Sequence, residues 1–379
     1  MAERPRPSGI RAVFDRALEL EREGRDIVHL EIGRPHFGSP GVAVQAATAA
    51  LEAGSVHYTA NRGLPELREA IAERTGRADA EIVVTAGGSE AVAAAVLAIL
   101  EPGDEAIILD PAWPHYDGHV RLAGGVPVHV PCRAEEGFQP DLERVAAAVT
   151  PRTRLLVVSS PSNPSGTVIE PGNVAGLAAL CREHELFALS DEIYASFVYD
   201  GARHHSIAVE PGMAERTVIA DSCSKTWSMT GWRVGWAIAP PALAAPINVV
   251  HQHLSVCAPA FAQAGAVAAL RQGAAHTEAM VRDYGERRHD LLTAFDGLDA
   301  IALPPPGGAF YAFPRVEIAG VGGEEAALRL LEEASVALVP GAVFGEEFAD
   351  HLRISYAVSA SELAEGIDRV REFLSRVSA

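Results

Sequence analysis

The segment Ser222-Cys223-Ser224-Lys225-Thr226-Trp227-Ser228-Met229-Thr230-Gly231-Trp232-Arg233-Val234-Gly235 carries the only lysine in a chain of 379 residues. Lysine and arginine together number 31, so arginine fills every other such position. A bias that strong asks for a chemical reason at Lys225. A guanidinium can replace an ammonium in a surface ion pair or on a phosphate, but it stays protonated and cannot act as an amine nucleophile. A lysine with a lowered pKa attacks a carbonyl and forms a Schiff base, the bond that holds and activates pyridoxal phosphate. On the count alone, chance survival of one lysine explains Lys225 as well; the surrounding residues have to decide.

Strand-like runs flank that segment, Thr217 to Ala220 before it and Trp236 to Ala239 after it. Upstream the series continues through 82–85, 106–109, 126–130, 155–159 and 187–189, with helical stretches beginning near Gly88 and spanning 141–149 and 173–184. Such alternation predicts an α/β sheet, mostly parallel, with helices on both faces and the ligand beyond the carboxyl ends of the strands. An amphipathic helix over 10–23, a short strand over 27–30, a glycine- and proline-rich loop over 33–40, a helix over 42–53 and a loop over 56–63 open the chain. Pro65 then suits the first position of another helix. Past Pro259, helices over 260–270 and 274–295 lead to a smaller α+β unit, with strands over 309–313, 336–339 and 352–356 and helices over 324–334 and 361–376. The expected division is an N-terminal segment, 1–40, joining the small domain, a large domain, 41–281, and a small C-terminal domain, 282–379.

With 48% hydrophobic and 21% charged residues the chain can bury a large core. Its 31 cations against 50 anions leave a net charge of -19, which offers no basic face to nucleic acid. The first eight residues lack the apolar core of a secretory signal, and no apolar run is long enough to span a bilayer, so a cytoplasmic protein with no membrane partner is expected. Cys132, Cys181, Cys223 and Cys257 show neither CxxC nor metal-ligand spacing, so reduced thiols and no metal are expected. Cys223 reads as a small strand residue or as a reactive thiol.

Several strand ends carry candidates for chemistry. Thr85-Ala86-Gly87-Gly88-Ser89-Glu90 is either a phosphate cradle at a helix N-terminus or merely a tight turn. Asp191 can pair with a protonated pyridine nitrogen or cap a helix. Tyr194 can donate to a phenolic oxygen, and Asn163 can make a second such bond or form a plain Asn-Pro turn. Trp113 offers a face for ring stacking or is core. Ser222 and Arg233 can both reach a phosphate on the lysine's own loop. Arg353, a lone cation among apolar neighbours, suits a bidentate grip on a carboxylate or a structural ion pair.

Taken together, these motifs resemble the fold-type I pyridoxal-phosphate enzymes of the class I/II aminotransferase family, near its bacterial aspartate-type and aromatic-type branch. The resemblance runs from Pro7-Ser8 to the last helix. It is carried by Ser222 to Thr226 leading into Met229 to Gly235, by Asn163-Pro164-Ser165-Gly166, by Ser190 to Tyr194 and by Arg353-Ile354-Ser355. It implies a large domain with a mostly parallel seven-stranded sheet, and a smaller α+β domain formed by the N-terminal segment and the C-terminal third. It also implies that Lys225 forms the Schiff base with pyridoxal 5'-phosphate and shuttles a proton, while Asp191 pairs with the ring nitrogen. Tyr194 and Asn163 would tune the phenolic oxygen and Trp113 would stack on the ring. Gly87, Gly88, Ser89, Ser222 and Arg233 would hold the phosphate, with Tyr58 from the other subunit of a homodimer that shares its active sites. Arg353, helped by the backbone of Gly33 and by Asn163, would bind the substrate carboxylate.

The implied reaction is transfer of an amino group from an L-amino acid to a 2-oxo acid in a ping-pong cycle. The same apparatus supports a C–S β-lyase, which would release pyruvate and ammonia from cystathionine without an acceptor. One departure stands out: where the family usually reads Gly-Glu-Pro-Asp-Phe, this chain has Gly33-Arg34-Pro35-His36-Phe37. Arg34 or His36 beside the substrate entrance would then alter which side chain is accepted, favouring an acidic or polar group, unless the exchange is only structural.

Overall fold

The computed structural model describes residues 9–317 and 321–377; Pro7 and Ser8 lie outside the described residues. A seven-stranded sheet organises most of the chain. Its strands, numbered in chain order, are β1 (Ile82–Thr85), β2 (Glu105–Asp110), β3 (Val126–Pro131), β4 (Thr153–Ser159), β5 (Phe187–Asp191), β6 (Thr217–Ser222) and β7 (Gly235–Ile238). They lie in the order β1-β7-β6-β5-β4-β2-β3. Five strands pair in parallel, while β7 runs antiparallel to both β1 and β6.

Strands β1 and β7 are buried at every residue, as strands covered by helices on both faces must be. Helix Gly88–Ile99 shows how that cover is made. Its Ala91, Val92, Ala94, Ala95 and Val96 are all buried, because small side chains let it wedge between the sheet and helix Pro241–Leu254. Besides the single turn Cys223–Thr226, two helices lack a counterpart in the expectations above. His115–Leu122 is short and largely polar, and Pro241–Leu254 is disguised by Pro246, which breaks a backbone hydrogen bond within it.

The N-terminal elements pack with the C-terminal third. Val28–His29 pairs in parallel with Val336–Ala337, and Arg16 of helix Gly9–Arg22 meets Glu332 at 2.7 Å. The strand expected over 336–339 is split, because Val336–Ala337 faces Val28–His29 while Val339–Pro340 pairs with Leu352–Arg353. The one expected over 309–313 shortens to Tyr311–Ala312, on the other side of Leu352–Ser355. The 22-residue helix Ala274–Phe295 links the two parts, and its Arg288 donates to the Pro306 carbonyl at 2.5 Å. Among the described residues no helix is long and apolar enough to cross a membrane, and no group of three or more His, Cys, Asp or Glu is placed to hold a metal ion.

Candidate active site

The carboxyl ends of the parallel strands deliver the candidates together. β1 leads to Gly87, Gly88 and Ser89, β2 to Trp113 and β4 to Asn163. β5 ends on Asp191 and β6 on Ser222, after which the single turn Cys223–Thr226 presents Lys225. The Ser222 hydroxyl caps that turn by accepting from Ser224 N. The Lys225 ammonium donates to the Gly33 carbonyl at 2.6 Å. Burial, then the charges of Arg353 and Arg233, lower Lys225 to about 8, against a weak opposing pull from Asp191. Cys223 is fully buried and desolvation pushes its thiol far up, so it packs rather than reacts.

Asp191 is 5% exposed. One of its oxygens accepts from the Tyr116 hydroxyl at 2.6 Å and the other from Ile193 N at 3.2 Å. Burial outweighs those bonds and raises the carboxyl to about 6. A dry carboxylate in this condition gains from a protonated partner. Trp113 stacks on His115 with ring centroids 4.3 Å apart and meets Tyr116 edge-on at 5.4 Å, which places it beside the Asp191 anchor.

The anion cradle is defined by what cannot be added to it. At Gly87, with φ +91°, a Cβ would fall 2.4 Å from an Arg233 nitrogen, and at Gly235 it would fall 2.5 Å from the backbone of Gly87 and Gly88. Arg233 is itself held by the carbonyls of Thr230 at 2.9 Å and Ala86 at 3.2 Å. Bare backbone at the start of helix Gly88–Ile99, the Arg233 guanidinium and Ser222 thus converge, a combination suited to a phosphate.

Opposite lies Arg353, 2% exposed. It donates to Asn163 Oδ1 at 3.0 Å and to the Glu31 carbonyl, and its guanidinium lies 4.7 Å from the Tyr311 ring and 5.1 Å from that of Phe344. Its Nε is buried with no hydrogen-bond partner among the described residues. A buried donor left open in this way is what an incoming carboxylate completes. Tyr194 and Tyr311 share a hydroxyl–hydroxyl bond of 2.8 Å. Any Cβ at position 33 would lie 1.7 Å from the Tyr311 hydroxyl, so glycine there lets the backbone reach Lys225.

Three singled-out residues stand apart. Tyr58 is 85% exposed and outside this cluster. Arg34 is exposed, and His36 contacts the long helix, with Asp283 at 3.8 Å and Tyr284 edge-on at 5.7 Å. Two residues escaped sequence reasoning. Tyr116 lies one helical turn past Trp113, a spacing that offered a signal; Tyr311 had none, because its partner Tyr194 is 117 positions away.

The chain matches the family model for aminotransferase class I and II over residues 25–370. It is 39% identical to a putative aminotransferase, YugH, of Bacillus subtilis, over 98% of this chain and 97% of that one. It is 40% identical to a probable aspartate/prephenate aminotransferase of Thermus aquaticus, over 97% of each. Among solved structures, the aspartate aminotransferase from Thermus thermophilus with maleate superposes with a TM-score of 0.93 at 39% identity, covering 98% of this chain and 97% of that one. The aromatic aminotransferase from Pyrococcus horikoshii gives 0.90 at 36%, covering 96% and 99%. With the family model spanning most of its length and relatives matched nearly end to end, the chain belongs to the class I and II aminotransferases, a family dependent on pyridoxal phosphate.

Proposed function

We propose that the chain binds pyridoxal phosphate at Lys225 and moves the amino group of an L-amino acid to a 2-oxo acid in a ping-pong cycle. One observation carries this reading: the only lysine of the chain is depressed to about 8 and bonded to Gly33, with the open guanidinium of Arg353 nearby. The donor set fits the cofactor. Asp191, raised by burial, suits a ring-nitrogen proton, and the glycine-lined cradle at Gly87, Gly88 and Arg233 suits a phosphate. When bound, the cofactor supplies an electron sink for the substrate α-carbon.

The chain's own residues do the rest. Asp191 would keep the ring nitrogen protonated, with Tyr116 holding Asp191 in place. Asn163 and Tyr194 would hydrogen-bond the phenolic oxygen, and Trp113 would pack on the ring. Gly87, Gly88, Ser89, Ser222 and Arg233 would bind the phosphate. Arg353, with Gly33 and Asn163, orients the substrate through its α-carboxylate. Lys225 Nζ carries the proton off and back onto the reacting carbon, a task for which a pKa near the working pH is suited. Tyr58, exposed near Val56, fits a role in the partner subunit's phosphate site within a homodimer. The same reading divides the chain into 1–40, 41–281 and 282–379.

Purified protein mixed with single amino acids should lose the visible absorbance of the lysine-bound cofactor and regain it on addition of a 2-oxo acid. Lys225→Ala should lose both the lysine-linked absorbance and the turnover. Survival of that absorbance in the variant would refute the assignment.

A further inference from the structure

Behind the glycine turn of the proposed phosphate site lies a charged pair that the reaction steps above do not use. Glu90 is the third residue of helix Gly88–Ile99, directly after Ser89. One of its carboxylate oxygens accepts from Ala86 N, and the Ala86 carbonyl accepts from Arg233 at 3.2 Å. The residue leading into Gly87 is therefore held at both its backbone N–H and its carbonyl. The second oxygen of Glu90 accepts from the Ser255 hydroxyl at 2.6 Å and from His251 Nδ1 at 2.9 Å.

His251, on helix Pro241–Leu254, is fully buried. Its Nε2 faces the Asn61 carbonyl at 3.0 Å, so both ring nitrogens meet acceptors and both bonds are made only by the doubly protonated ring. Burial would raise Glu90, but the bonds from His251, Ser255 and Ala86 N outweigh it and hold the carboxyl below its usual range. Asn61 belongs to the loop that presents Tyr58, and its side-chain amide donates to the Val256 carbonyl at 2.6 Å. The same loop is tied by Gln263, also fully buried, which donates to the Thr59 hydroxyl at 3.1 Å and accepts from Leu64 N at 2.7 Å. Two buried polar side chains thus fix the frame of a loop whose Tyr58 is left exposed.

We propose that His251 is a positioning residue for the cofactor phosphate: it neutralises Glu90 behind the cradle and fastens the Tyr58 loop to the same spot. The inference rests on the reading of Gly87, Gly88, Ser89, Ser222 and Arg233 as the phosphate site. A carboxylate one residue beyond that cradle braces the turn, yet its charge opposes an anion. The Glu90 side chain is 10% exposed, so solvent screens that repulsion little. An imidazolium on its second oxygen removes the repulsion and leaves the brace. Without the ring, Glu90 would keep its bonds to Ala86 N and Ser255 and present an uncompensated charge to the phosphate.

The test is a titration of the full-length protein with pyridoxal phosphate and, separately, with pyridoxal, which lacks the phosphate, read from the lysine-linked absorbance. His251→Gln should weaken pyridoxal phosphate by roughly tenfold or more and pyridoxal by less than about threefold, since the unmasked charge acts on the phosphate alone. Ser255→Ala, which removes a bond to Glu90 but no charge, should weaken pyridoxal phosphate by less than about threefold. Glu90→Gln combined with His251→Gln should bring pyridoxal phosphate affinity back to within about threefold of wild type. Equal weakening of both ligands by His251→Gln would overturn the inference, as would a double variant that binds pyridoxal phosphate no better than His251→Gln alone. Wild-type protein that binds pyridoxal as tightly as pyridoxal phosphate would instead strike the reading of the phosphate site itself.

Discussion

The two walls of the site are built by different means. One consists of the ends of parallel strands in a single sheet, where Asp191, Ser222, Lys225 and Asn163 occupy positions fixed by neighbouring strands. The other is assembled from a two-residue strand, a four-residue strand and a loop, and brings Gly33, Tyr311 and Arg353 together from distant parts of the chain. Three hydrogen bonds cross between the walls: Lys225 to Gly33, Arg353 to Asn163, and Tyr194 to Tyr311. The difference suggests a division of labour in which the sheet wall holds the cofactor and the composite wall senses the substrate.

Disabling the sheet wall should have the larger effect. Asp191→Asn should cut turnover by roughly a thousandfold or more, through loss of an electrostatic partner in a dry site. It should also have an opposite effect on the cofactor-free protein. The folded carboxyl sits at about 6 against about 3.9 when unfolded. The folded state thus binds the proton more tightly, and wild-type stability falls as pH rises from about 4 through about 6 and stays lowered above that. Cofactor-free Asp191→Asn should therefore outlast wild type in urea at pH 8, by on the order of 2–3 kcal/mol, with the two converging near pH 4. Equal denaturation midpoints at both pH values would show that burial imposes no such cost.

Breaking the composite wall should separate binding from chemistry. Arg353→Gln should raise KM for the amino donor roughly 100-fold, as expected for a charge-assisted bond to a carboxylate, with a smaller change in cofactor absorbance. A lost chromophore in this variant would mean that the walls are not separable. Removing one crossing bond with Tyr311→Phe should cost about fivefold in kcat/KM, the scale of a single neutral hydrogen bond. The smallest effect is expected at Arg34→Ala, where the ranking of amino donors should stay within about twofold of wild type because the residue is exposed.

The walls also differed in how far the sequence disclosed them. Residues on the sheet wall each follow a run of β-branched and aliphatic residues, so a strand end marked them; the lysine was further marked by its solitude. The antiparallel direction of β7 was not visible, since alternation along a strand carries no sign of its direction. On the composite wall Arg353 could be found as a cation in an apolar strand, but its contact with the Glu31 carbonyl spans 322 positions. Tyr311 is held by Tyr194 and by the nearness of Gly33, contacts that no local period encodes.

The reversed strand β7 has a consequence for synthesis. It alone joins β1, which leads into the glycine turn, to β6, which leads into Lys225. A nascent chain cannot bring those two turns side by side until Ile238 has left the ribosome, and Arg353 emerges more than a hundred residues later. The two turns of the sheet wall are thus encoded well before the composite wall that faces them, and the three bonds that cross between the walls close only when the C-terminal third has been made.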